Sequence, residues 1–352
     1  MAEKIFVINP GSTSTKVALF DGANELFSEN IVHTQEELKK FDEVYLQADY
    51  RMELIREVMG KYGVKENELS IVMGRGGMFP PVKGGAYLVD DAMVQLICNG
   101  DIEQHASNLG GLLAKMLADE SGVKAYVYDC VSVDELEPIC KVTGIPEIER
   151  QSFCHALNSR EMVRRYAAEI GKEYEDINCI VAHLGGGISM SAHRNGRIVD
   201  SVSDDGGAFA PERGGSVPVM YIIDMCYSGE YSYKQMKKKI RGMGGLRALL
   251  GTSNCREVEK RIAAGDENAR LVYDAMIFQI AKGINLVSTV LMGKIDAIIL
   301  TGGVAHSQYL TSRVAEYVKH LGPVIMMPGE HEMEALAAAG LRLLHGEKFN
   351  TL

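Results

Sequence analysis

An excess of basic residues, a C-x-x-C pair, an apolar run long enough to span a bilayer and a Pro/Ser-rich linker are all missing from this 352-residue chain. Each absence closes a class of explanation. With 37 Lys and Arg against 47 Asp and Glu the formal net charge is −10, so the chain lacks the basic face of a nucleic-acid binder, and any anion it holds must be met by local donors. The seven cysteines, at 98, 130, 140, 154, 179, 226 and 255, are odd in number and widely scattered. Without paired spacing they read as reduced structural thiols rather than a zinc site or a redox couple. The apolar stretch in the N-terminal "MAEKIFVINPG" is too short for a secretory signal, and with no membrane span the expectation is a cytoplasmic protein. What is present, 46% hydrophobic and 24% charged residues, is soluble globular composition with length for two domains. Because no linker marks a boundary, the division must be sought in repetition.

The stretch "FVINPGSTSTKVALF", residues 6 to 20, sets Gly11, Ser12, Thr13, Ser14 and Thr15 between two apolar runs. It has no second glycine, and Lys16 is followed by "VALF" rather than by a helix, so it is not the phosphate loop G-x-x-x-x-G-K-[ST]. Phe6 to Ile8 and Val17 to Phe20 are β-prone runs, and Asp21-Gly22 is the next turn signal. The loop therefore joins two strands as a hairpin. The hydroxyls of Ser12, Thr13 and Ser14, the Gly11 amide and Lys16 are candidates to hold phosphate oxygens; a polar turn fits the same residues.

Residues 178 to 203, "NCIVAHLGGGISMSAHRNGRIVDSVS", repeat the pattern: strand, the loop Gly185-Gly186-Gly187, strand, the turn Asn195-Gly196, strand. Two copies imply two related domains. We expect the boundary near 148, giving domains 1–147 and 148–352, with the last helix a candidate to pack back on the first. A third glycine site, "DAIILTGGVAHS", places a buried-type strand before Gly302-Gly303 and a helix from about Ser307, the architecture of a nucleotide loop. Between them, apolar residues recur at helical spacing, predicting one long core helix over 266–291.

Three glycine loops in this order resemble the acetate and sugar kinase, heat-shock chaperone and actin superfamily. The resemblance narrows on "INPGSTSTK", "GRGG" at 74–77, "YDCVSVDEL" at 128–136, "HALN" at 155–158, "HLGGG" at 183–187, "PERGG" at 211–215, "AGDENARLVYDAM" and "PGEHEMEALAAAG", which run nearly end to end and are similar to the butyrate kinases of the acetokinase family. It implies an α/β chain of two ribonuclease-H-like (actin-like ATPase) domains with a nucleotide cleft between them. It also implies ATP/ADP and Mg²⁺ as cofactors, a short-chain carboxylic acid as substrate, and a homo-oligomer, dimer or higher. Acetate, propionate and branched-chain fatty acid kinases are alternatives on the same mechanism. An actin-like or chaperone-like ATPase switch is the alternative of another class.

Forming an acyl phosphate needs an ionised carboxylate to attack the γ-phosphorus of ATP in line. The acid is already deprotonated at neutral pH, so the residues to find are cations and donors rather than a general base. Arginine suits that work through its planar fork. Arg75 in "MGRGGMFPP" and Arg213 in "APERGGSVP" sit in expected loops, with glycines that open the backbone to a ligand, and by resemblance they hold the carboxyl and phosphoryl groups. By resemblance too, His155 and His183 line the phosphoryl site, and His183, ending an apolar strand beside the glycine loop, is placed to donate to a phosphate oxygen. His105 aligns more loosely and reads equally as a helix-start residue.

Asp129, at the carboxyl end of the strand "AYVYD", is the candidate carboxylate for catalysis and magnesium. The resemblance adds Asn9 and Glu332 to the metal site, with Glu330 and Glu334 close enough to shift the register. At the adenosine end, Asn254 stands where the family carries an aspartate and Arg256 matches its arginine, while Gly302 and Gly303 are expected to let backbone approach the purine. Phe79, Pro80, Pro81 and Val82 are candidates for an alkyl pocket or, equally, a packed loop. Cys130 departs from the family's usual proline. Since one methylene is worth only about 1–3 kcal/mol of discrimination, the chain length of the acid is left open.

Overall fold

Strict alternation in the first strand sets its two faces: Phe6 and Ile8 enter one apolar core while Ile5, Val7 and Asn9 point the other way. The structure, a computed structural model, describes residues 3–99, 102–203 and 206–352. Among them are the strands β1 Lys4–Pro10, β2 Ser14–Asp21, β3 Asn24–Val32, β4 Ile71–Arg75, β5 Ala86–Leu88 and β6 Ala125–Tyr128. There follow β7 Cys179–Leu184, β8 Ile188–Arg194, β9 Arg197–Val202, β10 Ala297–Gly302, β11 Val324–Pro328 and β12 Phe349–Asn350.

The chain divides into two units, one of residues 1–134 with 331–352, the other of residues 135–330. Unit 1 holds a seven-stranded sheet in the order β12-β5-β6-β4-β1-β2-β3. The hairpins β1–β2–β3 are antiparallel, and β4 and β6 join in parallel. One face is covered by the helices Ala48–Lys61 and Leu109–Ser121, with Met52, Ile55 and Leu113 buried against Phe6 and Val17. The helix Glu332–Leu344 covers Ile5, Ile71 and Met73 on the other, and does so closely: a Cβ on Gly340 would stand 2.8 Å from Ile5. The last helix thus lies with the first unit.

Unit 2 holds a five-stranded sheet, β11-β10-β7-β8-β9, with β7–β8–β9 antiparallel and β10 and β11 parallel to β7. The order and senses repeat those of β6-β4-β1-β2-β3. Ile180, Met190 and Leu300 pack on the helix Glu267–Ser288, while Val181 and Ile299 on the opposite face pack on Met162 and Val163 of the helix Ala156–Glu169.

The chain leaves unit 1 after Asp134 rather than near 147. The Asp134 amide bonds the Val82 carbonyl, whereas Glu137 donates to Val199 and Glu135 pairs with the buried Arg160. Polar anchoring, which has no periodicity to read, moves the boundary. The long helix is shorter than the expected 266–291, ending at Ser288 in the 3-10 turn Thr289–Leu291. The first loop is also tighter: Ser14, Thr15 and Lys16 belong to β2, so the turn is residues 11–13.

Candidate active site

In unit 1 three residues far apart in sequence close on one another. Asn9 is the penultimate residue of β1, Arg75 ends β4 beside it, and Glu332 opens the helix that crosses β1. Asn9 Nδ2 donates to Glu332 Oε2 at 2.8 Å, Arg75 Nη1 donates to Asn9 Oδ1 at 3.3 Å, and Arg75 Nη1 lies 2.9 Å from Glu332 Oε2. Glu332, rather than Glu330 or Glu334, is therefore the glutamate of this cluster. Lys16 faces solvent directly across the ladder from Asn9, on the same face of the sheet.

Arg75 is a strand-end residue, not a loop residue, and the glycines around it serve packing rather than a ligand. A Cβ on Gly74 would meet the Gly110 carbonyl oxygen at 2.1 Å, one on Gly76 the Cys130 sulfur at 2.2 Å, and one on Gly77 the Asn108 Oδ1 at 2.3 Å. Asp129 follows β6 in the left-handed region, φ 42°, and its buried Oδ1 accepts from the Gly85 amide at 2.8 Å. Among the described residues no three His, Cys, Asp or Glu gather as a metal-holding group. The donors this cluster offers are one carboxylate and one amide oxygen, at Glu332 and Asn9, both bonded to Arg75. That set fits a magnesium ion that keeps most of its ligands as water and phosphate.

Of the remaining expectations in unit 1, His105 caps the turn Ala106–Asn108, accepting from the Ser107 amide at 3.2 Å, as a helix-start histidine does. Phe79 is buried in the core, Val82 pairs with Val133, and Pro80 and Pro81 face solvent. At the hairpin tip the Gly11 amide closes its own turn on the Ser14 carbonyl, so it is not the outward donor expected of it; Ser12 and Thr13 are exposed there.

Unit 2 assembles a second group. Alternation on β7 puts His183 on the face covered by the helix Ala156–Glu169, and His155 stands at that helix's N-cap position. Their rings stack in parallel, centroids 3.8 Å apart and 8° between planes. His155 Nδ1 meets Ser189 Oγ at 2.8 Å. The fully buried Asn158 donates through Nδ2 to His183 Nδ1 at 3.0 Å and to Thr301 Oγ1 at 3.3 Å. With Nδ1 accepting, the His183 proton resides on Nε2, which lies beside the glycine loop: a Cβ on Gly185 would be 3.4 Å from it. A Cβ on Gly187 would be 2.7 Å from Arg213 Cζ, so the guanidinium rests directly against that glycine. The Glu212 amide donates to the Gly186 carbonyl, tying the two loops together.

A pocket of about 390 Å³ opens beside this group, lined by Gly186, Asn254, Arg256 and Gly303 together with Glu212, Glu259 and Ser307. Four candidate nucleotide residues from three separate segments thus line one cavity. Gly302 does not join them in the expected way. It has φ 89°, and the space its side chain would fill is taken by the Leu184 backbone, 2.4 Å from a Cβ; Gly303 has open space around it. Asn254 caps the helix Cys255–Ala263, its Oδ1 accepting from the Arg256 and Glu257 amides at 3.1 and 3.4 Å. Sequence reasoning missed Glu259, one turn beyond Cys255, whose Oε1 accepts from Tyr273 at 2.9 Å and from Ser307. An acidic residue at helical spacing behind the Asn254 cap was the available signal. Missed too was Asn158, although its motif was in view.

Residues 149–342 match the acetokinase family, and the chain is 47% identical over 346 residues, 98% of both proteins, to a protein described as probable butyrate kinase 2 of Caldanaerobacter subterraneus subsp. tengcongensis. The chain belongs to the acetokinase family. The fold agrees: acetate kinase of Porphyromonas gingivalis superposes with a TM-score of 0.79 at 18% identity, covering 97% of this chain and 100% of that one. Propionate kinase of Francisella tularensis follows with 0.76 at 16%, covering 96% and 98%. This member of the acetokinase family thus has the actin-like ATPase fold, each unit carrying the repeated five-strand arrangement. Among the described residues no helix is long and apolar enough to cross a membrane.

Proposed function

We propose that this acetokinase-family protein is an ATP-dependent carboxylate kinase whose acid is butyrate, reversibly giving butyryl phosphate and ADP. The observation that carries the reading is the arrangement in unit 2, where the His155–His183 stack, the loop 185–187 and Arg213 lie against one another beside the pocket of Asn254, Arg256 and Gly303. Butyrate is proposed from the relative that is 47% identical.

An acid oxygen attacks the γ-phosphorus, the bond to the β-phosphate oxygen breaks, and ADP leaves with that electron pair; no proton need move. His183 offers an Nε2–H with its tautomer held by Asn158, Arg213 offers a fixed fork for equatorial oxygens, and Arg75 offers the cation for the carboxyl group. Magnesium, when bound, neutralises phosphate charge, with Asn9 and Glu332 as the ligating residues and Asp129 proposed as a further carboxylate. Ser12, Thr13, Ser14 and Lys16 are proposed for the outer phosphates, and Phe79, Pro81 and Val82 as neighbours of the alkyl chain. A cytoplasmic location and a homo-oligomer complete the proposal. The latter rests on the helix Val219–Tyr227, none of whose residues is buried and which exposes Met220, Tyr221 and Tyr227, an apolar face suited to a second copy. Light scattering that reads a monomer would remove it.

The test is acyl phosphate formation trapped with hydroxylamine, over acids of two to six carbons, with and without magnesium. A magnesium-dependent optimum at four carbons supports butyrate. An optimum at two carbons or on branched acids changes the acid and keeps the mechanism. ATP hydrolysis indifferent to every acid overturns the reading in favour of an ATPase switch.

A further inference from the structure

Beneath the first hairpin tip lies a buried cation that the reaction described above does not use. Arg51, in the first turn of the helix Ala48–Lys61, is only 1% exposed. Its Nη1 donates to the Gly11 carbonyl at 3.0 Å, to the Ser14 carbonyl at 3.2 Å and to Thr15 Oγ1 at 3.0 Å. Its Nε and Nη2 both donate to Gln47 Oε1, at 3.1 and 2.8 Å. Among the described residues, every one of these acceptors is neutral. A buried guanidinium is ordinarily paired with a carboxylate, since burying an unpaired charge is expensive. Burial pulls Arg51 down to about 10, which leaves it charged at neutral pH.

The neighbouring histidine adds no second positive charge, and the carboxylate nearest this cluster, Glu37, hydrogen-bonds Thr34 and Tyr50 rather than Arg51. Thr15 Oγ1, which accepts from Arg51, also lies 2.8 Å from His33 Nε2, and His33 Nδ1 lies 3.2 Å from the Tyr50 hydroxyl. Burial with the nearby Arg51 charge holds His33 down to about 4, so the ring is neutral at neutral pH. Two carbonyls of the turn point inward to Arg51, so the negative ends of those peptide dipoles face the guanidinium.

We propose that Arg51 is a positioning residue for the polyphosphate end of a nucleoside triphosphate. It fixes the 11–14 turn by its carbonyls and places a positive charge bonded to no carboxylate under the exposed Ser12–Thr13 tip. The proposal rests on the functional reading above and adds to it a source of positive charge at the hairpin in a chain of net charge −10.

The test compares ATP with adenosine, which has no phosphate, by calorimetry on the full-length parent, Arg51→Met and Arg51→Lys, with KM values for ATP and for butyrate measured alongside. Loss of a charge-assisted contact predicts that Arg51→Met weakens ATP about tenfold or more, leaving adenosine affinity and KM for butyrate within about twofold. Arg51→Lys, keeping charge without the fork, falls between. A folded Arg51→Met variant that binds ATP as the parent does, or that loses ATP and adenosine equally, overturns the proposal. If Arg51→Met does not fold, Thr15→Val and Gln47→Leu carry the same prediction, because each loosens the guanidinium without removing it; unchanged KM for ATP in both overturns it. A parent that binds neither ATP nor adenosine overturns the functional reading instead, a result distinct from any the variants give.

Discussion

A single methyl group separates Gly187 from a displaced Arg213. Gly187→Ala puts carbon 2.7 Å from the guanidinium carbon, forcing the fork away from its present position, and under the proposed mechanism misplacement of this kind costs on the order of 10²-fold in turnover. The expected result in the hydroxylamine assay is a fall in kcat of about that size with an unchanged melting temperature; a variant within threefold of the parent (about 0.6 kcal/mol) removes Arg213 from the site. A second residue-scale expectation concerns acid. His33 ordinarily titrates at 6.5 and is held down to about 4 in the folded protein. Below pH 6.5 the unfolded chain therefore takes up a proton that the folded chain refuses. Its contribution to stability is complete above 6.5 and is lost progressively as pH falls toward 4. The buried His193 is shifted in the same direction by burial. Urea midpoints should thus drop between pH 6.5 and 4, with a shallower decline in His33→Gln; an identical decline in that variant would assign the effect to other groups.

Among the elements, the helix Cys255–Ala263 shows how a sequence signal carries two meanings. Asn254 matched a nucleoside position by resemblance, and in the structure its Oδ1 caps the helix. Asn254→Ala is expected to cost about 1 kcal/mol of stability and Asn254→Asp almost none, read by denaturant unfolding, so any adenosine effect in Asn254→Asp is separable from capping. Equal losses in the two variants would mean the cap is not what stabilises the helix. The "GRGG" stretch had the reverse ambiguity. Its glycines were legible as positions demanding close approach, but not what approaches: Gly74 meets Gly110 of the helix Leu109–Ser121, and Gly110 in turn leaves 2.2 Å between its Cβ position and the Arg75 carbonyl. A glycine reports an absent side chain, and only the fold says which atoms fill the space.

For the whole molecule, the last helix decides what a truncation does. It covers Ile5, Ile71 and Met73 of unit 1 although it follows unit 2 in the chain. A chain ended after Glu330 bares one apolar face of the seven-stranded sheet and removes Glu332 from Arg75 and Asn9. Calorimetry of that truncated chain should show the unfolding of unit 2 retained and that of unit 1 lost. Two transitions preserved at parental temperatures would show that the helix contributes little.

The sequence by itself determined the strand and loop order, the repeat and the glycine loops. Alternation, turn residues and motif spacing are local, and they act on neighbouring residues before the chain has folded. Only the tertiary structure decided that Asn9 and Glu332, 323 residues apart, share a hydrogen bond, that Asn158 fixes the His183 tautomer, and that Arg51 lies under the hairpin. Those arrangements depend on which faces pack together and on where the chain crosses back. The burial that makes each contact strong is a property of the assembled unit rather than of any segment.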